Sequence, residues 1–423
     1  MPMTVTTSNQ ANLGLTGKPA FHYYSVDILR ALACLWVFTV HLPLPHRLLE
    51  DWPWLRPLMG QAELSFMTFY IISGLVIYLT LTVARQKSES AGQFIRKRLT
   101  RTMPTYWASL PVVMAVPFVV ELISALKSGQ IHWPWPDYLN YSWIEWIRVV
   151  TLTQIFFAPG TELASSAFQA INTPVWALAI VIQFYLLVAI AYRISRRYWG
   201  WSLVLLALSS IPTLTMEHRE HSGWIFPYGL AFALGAALGA LIFHGGSPRR
   251  LLGKSTTLVT LPAAIACITA ILAMVTGELI PDPYLAQIYS ILLTLLLWLI
   301  HPFDGLVKRF RDTQSFLLKP FSWMIFTIGA MSFTIYLLHG KMYWVGMLFA
   351  RQISAEGTGK FMLLTMVITI VLCYPFYRWV EKPLTGYRRV KPAPSTPPVN
   401  LQTTSAAALP TTQTSVGTPP LPD

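Results

Sequence analysis

Asp27, Arg30 and His41 lie within one apolar run of membrane length, Val26 through His41. Ionisable side chains inside such a run are costly, so by default they mark a site, a partner or a pathway. Arg30 and His41 are eleven residues apart. In an α-helix that is three turns plus about 20°, which puts both on one face, about 16 Å apart along the axis. No direct hydrogen bond spans that gap. A long ligand does, with its polar head at Arg30 and its reactive end at His41. The plainer alternative pairs Arg30 with Asp27, one turn back, and leaves His41 in interfacial water.

An imidazole, with an ordinary pKa of about 6.5, is mostly neutral near pH 7. His41 can therefore take a proton from a hydroxyl as that oxygen attacks an acyl carbonyl. It can also accept the acyl group itself. Otherwise it is an interfacial histidine bonded to backbone or water. His339 closes the stretch Ser332-Phe333-Thr334-Ile335-Tyr336-Leu337-Leu338-His339 and has the same alternatives. Ser332 and Tyr336 share its helix face and can bond to neighbouring helices. Glu63 opens the second apolar segment, either solvated or as an acid in support of a site. Ser73-Gly74 lies deeper in that segment.

The cluster Arg96-Lys97-Arg98-Leu99-Thr100-Arg101 precedes Pro104. It is an anchor on anionic lipid, or a site where guanidinium groups grip the phosphates of a polyanion. Arg98 and Arg101, three apart, share a side of a helix. Gln183 is polar within an apolar span, as interhelical glue or as an amide that orients a ligand. Glu381-Lys382-Pro383 closes the last span, and a snorkelling pair at the inner interface is the favoured reading. The sequence carries no metal-ligand spacing, phosphate loop or nucleophile elbow.

These residues need membrane helices to position them. The chain has 423 residues, 54% hydrophobic and 12% charged. That composition predicts an all-α integral membrane protein of about ten transmembrane helices with both termini cytoplasmic. The net charge of +13 fits basic cytoplasmic connections and gives no reason to invoke nucleic acid. Cys34, Cys267 and Cys373 fall in apolar segments, with neither disulfide nor zinc spacing. Residues 1–22 read as a flexible cytoplasmic leader without signal-peptide order, so the first span acts as an uncleaved anchor. Residues 23–389 form the multi-span domain, and 390–423 a disordered Pro/Thr/Ser-rich cytoplasmic tail.

Spans are expected near 23–44, 61–83, 104–126, 174–195, 199–216, 224–244, 256–277, 283–301, 322–345 and 361–381. With the N-terminus inside, most of the 31 Lys and Arg residues fall on inner connections, as the positive-inside rule requires. The long outer connection 127–173 contains an apolar, aromatic stretch from Trp143 to Phe157, an interfacial or re-entrant helix. In this layout the first and ninth spans run outward. His41, Glu63 and His339 then share a level near the outer surface, and Arg30 and the basic cluster lie toward the cytoplasm.

The landmarks, in order, resemble those of the membrane-bound acyltransferase 3 family. The stretch Asp27…Arg30…His41 is similar to the family's opening Arg and His. Phe69 through Ile77 resembles its Phe-rich Ser-Gly segment. Arg98-Leu99-Thr100-Arg101, with Pro104 and Tyr106, resembles its Arg-x-x-Arg element. Trp176 through Tyr185, Ser332 through His339, and Glu381-Lys382-Pro383 resemble its three later elements. The resemblance implies a ten-helix fold with no bound cofactor that uses acetyl-CoA or another acyl-CoA as co-substrate. Its implied partners are membrane lipid and a glycan or lipid-linked sugar, O-acylated at or beyond the outer face of a bacterial inner membrane. It implies that Arg30, Arg98 and Arg101 hold the donor or organise its channel and that His41 handles the acceptor proton or the acyl group. Asp27, Glu63, Ser73, Gln183, Tyr336, His339 and Glu381 are candidates for support.

The chain departs from the family pattern at two places. The acid expected between Trp176 and Gln183 is absent, and Met67 stands where an acid often precedes the Ser-Gly. Glu63 lies one turn earlier. The departures keep open an alternative: a non-catalytic glycan or lipid transporter, or an assembly subunit, on the same scaffold.

Overall fold

The computed structural model describes residues 23–42, 61–132, 134–135, 137–153, 171–215, 224–276 and 282–385. The expected leader 1–22, the tail 390–423 and the Phe157 end of the aromatic stretch lie outside the described residues. Among the described residues there is helix and no strand. Eight helical stretches among the described residues are long and apolar enough to cross a membrane, or up to nine if a bent pair forms one span.

The first helix, α1 (Tyr24–His41), contains neither glycine nor proline. It ends where Leu42, the residue before Pro43, turns extended, as residues before proline do. Its free N-terminal N–H groups are capped from a distance. The Asp304 carboxylate accepts from the Tyr24 N–H at 3.1 Å, the Ser25 N–H at 2.7 Å and the Ser25 hydroxyl at 2.8 Å. A carboxylate at a helix N-terminus is favourable for both hydrogen bonding and the helix dipole.

The second helix, α2 (Ala62–Gln86), leads into α3 (Ala91–Ser128). At 38 residues, α3 is about 57 Å long and exceeds a hydrocarbon core of about 30 Å. A reciprocal Ser90–Gln93 capping box starts it, and Gly129, in the left-handed region at φ 71°, ends it. A short helix, α4 (Trp143–Thr151), packs on α3 through Tyr106, whose hydroxyl donates to the Val149 carbonyl at 2.7 Å. Its Trp143, Ile144 and Ile147 side chains are exposed.

Then come α5 (Trp176–Ile194), α6 (Trp201–Ser209), α7 (Gly229–Phe243), α8 (Thr256–Thr276), α9 (Asp282–Ile300) and α10 (Asp304–Arg311). The expected span 199–216 holds only a shorter apolar helix, Trp201–Leu214. Helices α2 and α7 pack with their backbones in contact. A Cβ on Gly74 would overlap the Phe232 carbonyl oxygen, and one on Gly235 the Ile71 carbonyl oxygen. The Ser73-Gly74 pair thus sits at a close helix crossing, where small residues allow such approach. Gly235→Val should separate these helices and destabilise the protein by about 1–3 kcal/mol, read as a lower unfolding temperature in detergent.

The chain finishes with α11 (Leu318–Ala330), α12 (Ser332–Ala350), α13 (Gly359–Phe376) and a π-helical turn, Tyr377–Glu381. A single ninth helix over 322–345 was expected; instead α11 and α12 meet at 79°. Both sides of the break are apolar, so hydropathy cannot register it. Tertiary partners hold it in place. Gly329 lies flat against α1, with no room for a Cβ beside the Asp27 carbonyl oxygen, and the freed N-terminus of α12 receives a carboxylate, described below. Helix α1 packs against α2, α11 and α12, and α12 in turn against α3 and α13.

Candidate functional site

Two imidazoles meet between α1 and α12. The Nδ1 of His41, at the last position of α1, lies 2.7 Å from the Val37 carbonyl oxygen. The Nδ1 of His339 lies 2.8 Å from the carbonyl oxygen of Ile335 and 3.1 Å from that of Tyr336. A carbonyl can only accept, so each Nδ1 carries the hydrogen and each Nε2 keeps its lone pair. The ring centroids are 5.1 Å apart at 77°. Two cations at that separation repel, so a proton taken by one ring leaves the other neutral. His41 is half-buried. His339 is fully buried, and its Nε2 has no hydrogen-bond partner.

Two turns below this pair, Cys34 Sγ lies 3.7 Å from the Ser332 carbonyl oxygen. The two contacts have the same separation in sequence. Helices α1 and α12 therefore rise side by side in step, and residues that the sequence set only on one level touch.

The break before α12 exposes N–H groups that no helical carbonyl can satisfy. Glu381 fills that need. Its carboxylate accepts from the Thr334 N–H at 3.1 Å and from the Thr334 hydroxyl, and the residue is buried. Arg101 of α3 interacts electrostatically with Glu381 and with Arg98. The favoured reading of Glu381 as a snorkelling partner of Lys382 is thereby corrected. A helix terminus inside the protein attracts the carboxylate more strongly than the interface does.

The basic cluster divides. Arg96, Lys97 and Arg101 are exposed, and Lys97 pairs with Glu89. Arg98 turns inward, 7% exposed. Its guanidinium lies 5.9 Å from the Phe94 ring and 5.8 Å from the Tyr185 ring. Among the described residues its partners are aromatic faces and not a carboxylate. A buried guanidinium with no carboxylate suits an incoming anion.

Arg30 and Asp27 form the one-turn pair of the plainer alternative at 3.5 Å, with the Arg30 side chain about a third exposed. Glu63 is half-buried in the first turn of α2, and the field of its carboxylate reaches Tyr70. Gln183 accepts from the Ile225 N–H at 3.2 Å, away from the imidazoles in sequence and joining two segments. The Tyr336 hydroxyl donates to the Pro174 carbonyl at 2.5 Å and accepts from the Leu178 N–H at 2.9 Å. It thus fastens the start of α5 to α12.

Three residues of this architecture were missed in the sequence: Asp304, Thr334 and Asn172. Asn172 donates through Nδ2 to the Leu337 carbonyl at 2.6 Å. An Asn two residues ahead of Pro174 and just before a helix has the form of a capping signal. Asp304 and Thr334 act across long sequence separations, and no local pattern marks them.

A family model described as an acyltransferase domain matches residues 23–378. The chain belongs to this acyltransferase family. The match starts just before α1 and extends into the π-helical turn, so it covers both imidazoles and the basic cluster. No curated protein and no solved structure matches the chain. Family and fold together make it a multi-pass membrane acyltransferase.

Proposed function

We propose that this acyltransferase moves an acyl group, acetyl in the first instance, from cytoplasmic acyl-CoA to a hydroxyl of an extracytoplasmic or lipid-linked glycan. The observation that carries the reading is the imidazole pair with both Nε2 lone pairs unprotonated. His41 Nε2 takes the proton of the acceptor hydroxyl. The oxygen attacks the thioester carbonyl, the carbon–sulfur bond breaks, and CoA leaves as a thiolate that then takes up a proton. His339 lies against the ring that becomes charged and stays neutral.

The donor's phosphates belong to the guanidinium groups. Arg98 and Arg101 offer paired forks, and Arg30, held by Asp27, lies three turns below His41 on the same face. The long thiol arm of CoA suits that spacing. Tyr336 and Glu381 set the position of α12, while Ser73 and Gln183 belong to the scaffold and Glu63 to the outer rim. Ten spans with both termini cytoplasmic, in a bacterial inner membrane, complete the proposal, because the basic connections then face the donor.

The test incubates membranes containing the full chain with labelled acetyl-CoA and follows label into glycan. Label in glycan supports the reading. Transport of unmodified glycan with no acyl-CoA turnover would replace it with the transporter alternative. Arg98→Lys keeps a charge but loses the planar fork, so the KM for acetyl-CoA should rise about tenfold with little change in kcat. Initial rates against acetyl-CoA concentration check this.

A further inference from the structure

Asn172 is 3% exposed, and its Oδ1 has no hydrogen-bond partner. The amide cannot be turned over. Nδ2 is spent on the Leu337 carbonyl at 2.6 Å, and a flipped amide would set two acceptors face to face. Oδ1 is therefore the free end. It lies 2.9 Å from the place a Cβ on Gly340 would take. Gly340 follows His339, so Oδ1 is within about 8 Å of the His339 Cα. The segment is also held by Tyr336, through the Pro174 carbonyl and the Leu178 N–H. Asn172 is thus fixed before any ligand arrives.

Two buried polar atoms without partners thus belong to neighbouring positions along α12: Asn172 Oδ1 lies beside Gly340, and the free Nε2 is that of His339. Both are acceptors. Buried acceptors without partners are uncommon in folded proteins, and two so placed suit a ligand that donates. A carbonyl or phosphate oxygen brings no hydrogen. An ammonium brings a charge that two neutral acceptors do not offset. A hydroxyl and an amide N–H are neutral and donate, and a glycan acceptor carries hydroxyls side by side.

We infer that Asn172 determines acceptor specificity, its Oδ1 receiving a hydrogen bond from a second hydroxyl beside the one acylated at His41, so that transfer requires a polyol and not an isolated alcohol. This rests on the acyl-transfer reading above. A site built to bond a hydroxyl rejects the analogue that lacks it, because the acceptor is then left unpaired.

The experiment uses membrane vesicles containing the full chain, labelled acetyl-CoA, and methyl glucoside with its four monodeoxy analogues as acceptors. For the wild type, one deoxy analogue that still carries the acylated hydroxyl should be poorer by about ten- to a hundredfold in kcat/KM. Asn172→Leu should bring that ratio to within about threefold of unity. The ratio is internal to each preparation and does not depend on how much of a variant folds. Discrimination by Asn172→Leu equal to wild type would overturn the inference. So would wild type that uses every analogue equally. If the wild type transfers label to none of these glycosides and to no native glycan, the acyl-transfer reading itself has failed, and that is visible before any Asn172 variant is made.

Discussion

Membranes carrying His41→Ala should transfer acyl groups at least about a hundredfold more slowly than wild type, with the KM for acyl-CoA nearly unchanged. The split follows from geometry. His41 stands three turns above Arg30 on α1, so its removal takes away the group that receives the acceptor's proton and leaves the donor's charged end alone. His41→Gln sharpens the test. A glutamine amide can still donate to the Val37 carbonyl but cannot take a proton at the position of Nε2. It should be as slow as His41→Ala while leaving the end of α1 intact. Label transfer at the wild-type rate by either variant would remove His41 from the chemistry. His339 alone could not then be defended as the base, because it is fully buried.

The sequence was most informative where a residue's cost is local. An arginine and a histidine inside an apolar run are expensive wherever the run ends up, and spacing along one helix puts Arg30 and His41 on one face. Eight of the expected spans were legible for the same reason: membrane-length apolarity is read residue by residue. The break at Met331 was not, because neither a proline nor a change in hydropathy marks it. It depends on Gly329 meeting the backbone of α1 and on a carboxylate arriving from the end of α13. Asp304, nearly 280 residues from the helix it caps, is hidden in the same way. The meeting of His41 with His339 was predicted only as a shared level, since depth in a membrane follows from topology and lateral contact does not. Arg98 shows the converse. Within the run of cations the sequence singles out Arg98 and Arg101 alike, and only the aromatic faces of Phe94 and Tyr185 select the one that turns inward.

Glu381→Ala should be strongly destabilising, by about 2–3 kcal/mol, the cost of leaving buried hydrogen-bond donors without their acceptor. Three contributions fail together. The Thr334 N–H and hydroxyl lose their acceptor, and the N-terminus of α12, broken off within the fold, keeps N–H groups that water does not reach. Arg101 loses the carboxylate it interacts with. Glu381→Gln separates these effects. Its amide oxygen can still accept from Thr334, so only the charge is lost, and about half of the destabilisation should remain. Thermal unfolding of purified protein in detergent measures both. A double-mutant cycle with Arg101→Gln isolates the charge term, with a coupling of about 0.5 kcal/mol expected because Arg101 is exposed. Unfolding of Glu381→Ala at the wild-type temperature would mean that the α12 terminus needs no carboxylate, and the break at Met331 would lose its explanation. The consequence reaches the imidazoles. Helix α12 carries His339 and Tyr336, and its N-terminus is the nearer end to Glu381, so a relaxed cap lets the helix slide along α1 out of the step that sets the two rings against each other. The remaining folded fraction of Glu381→Ala should therefore show a lower kcat as well, whereas Glu381→Gln, with its acceptor for Thr334 in place, should keep most of it.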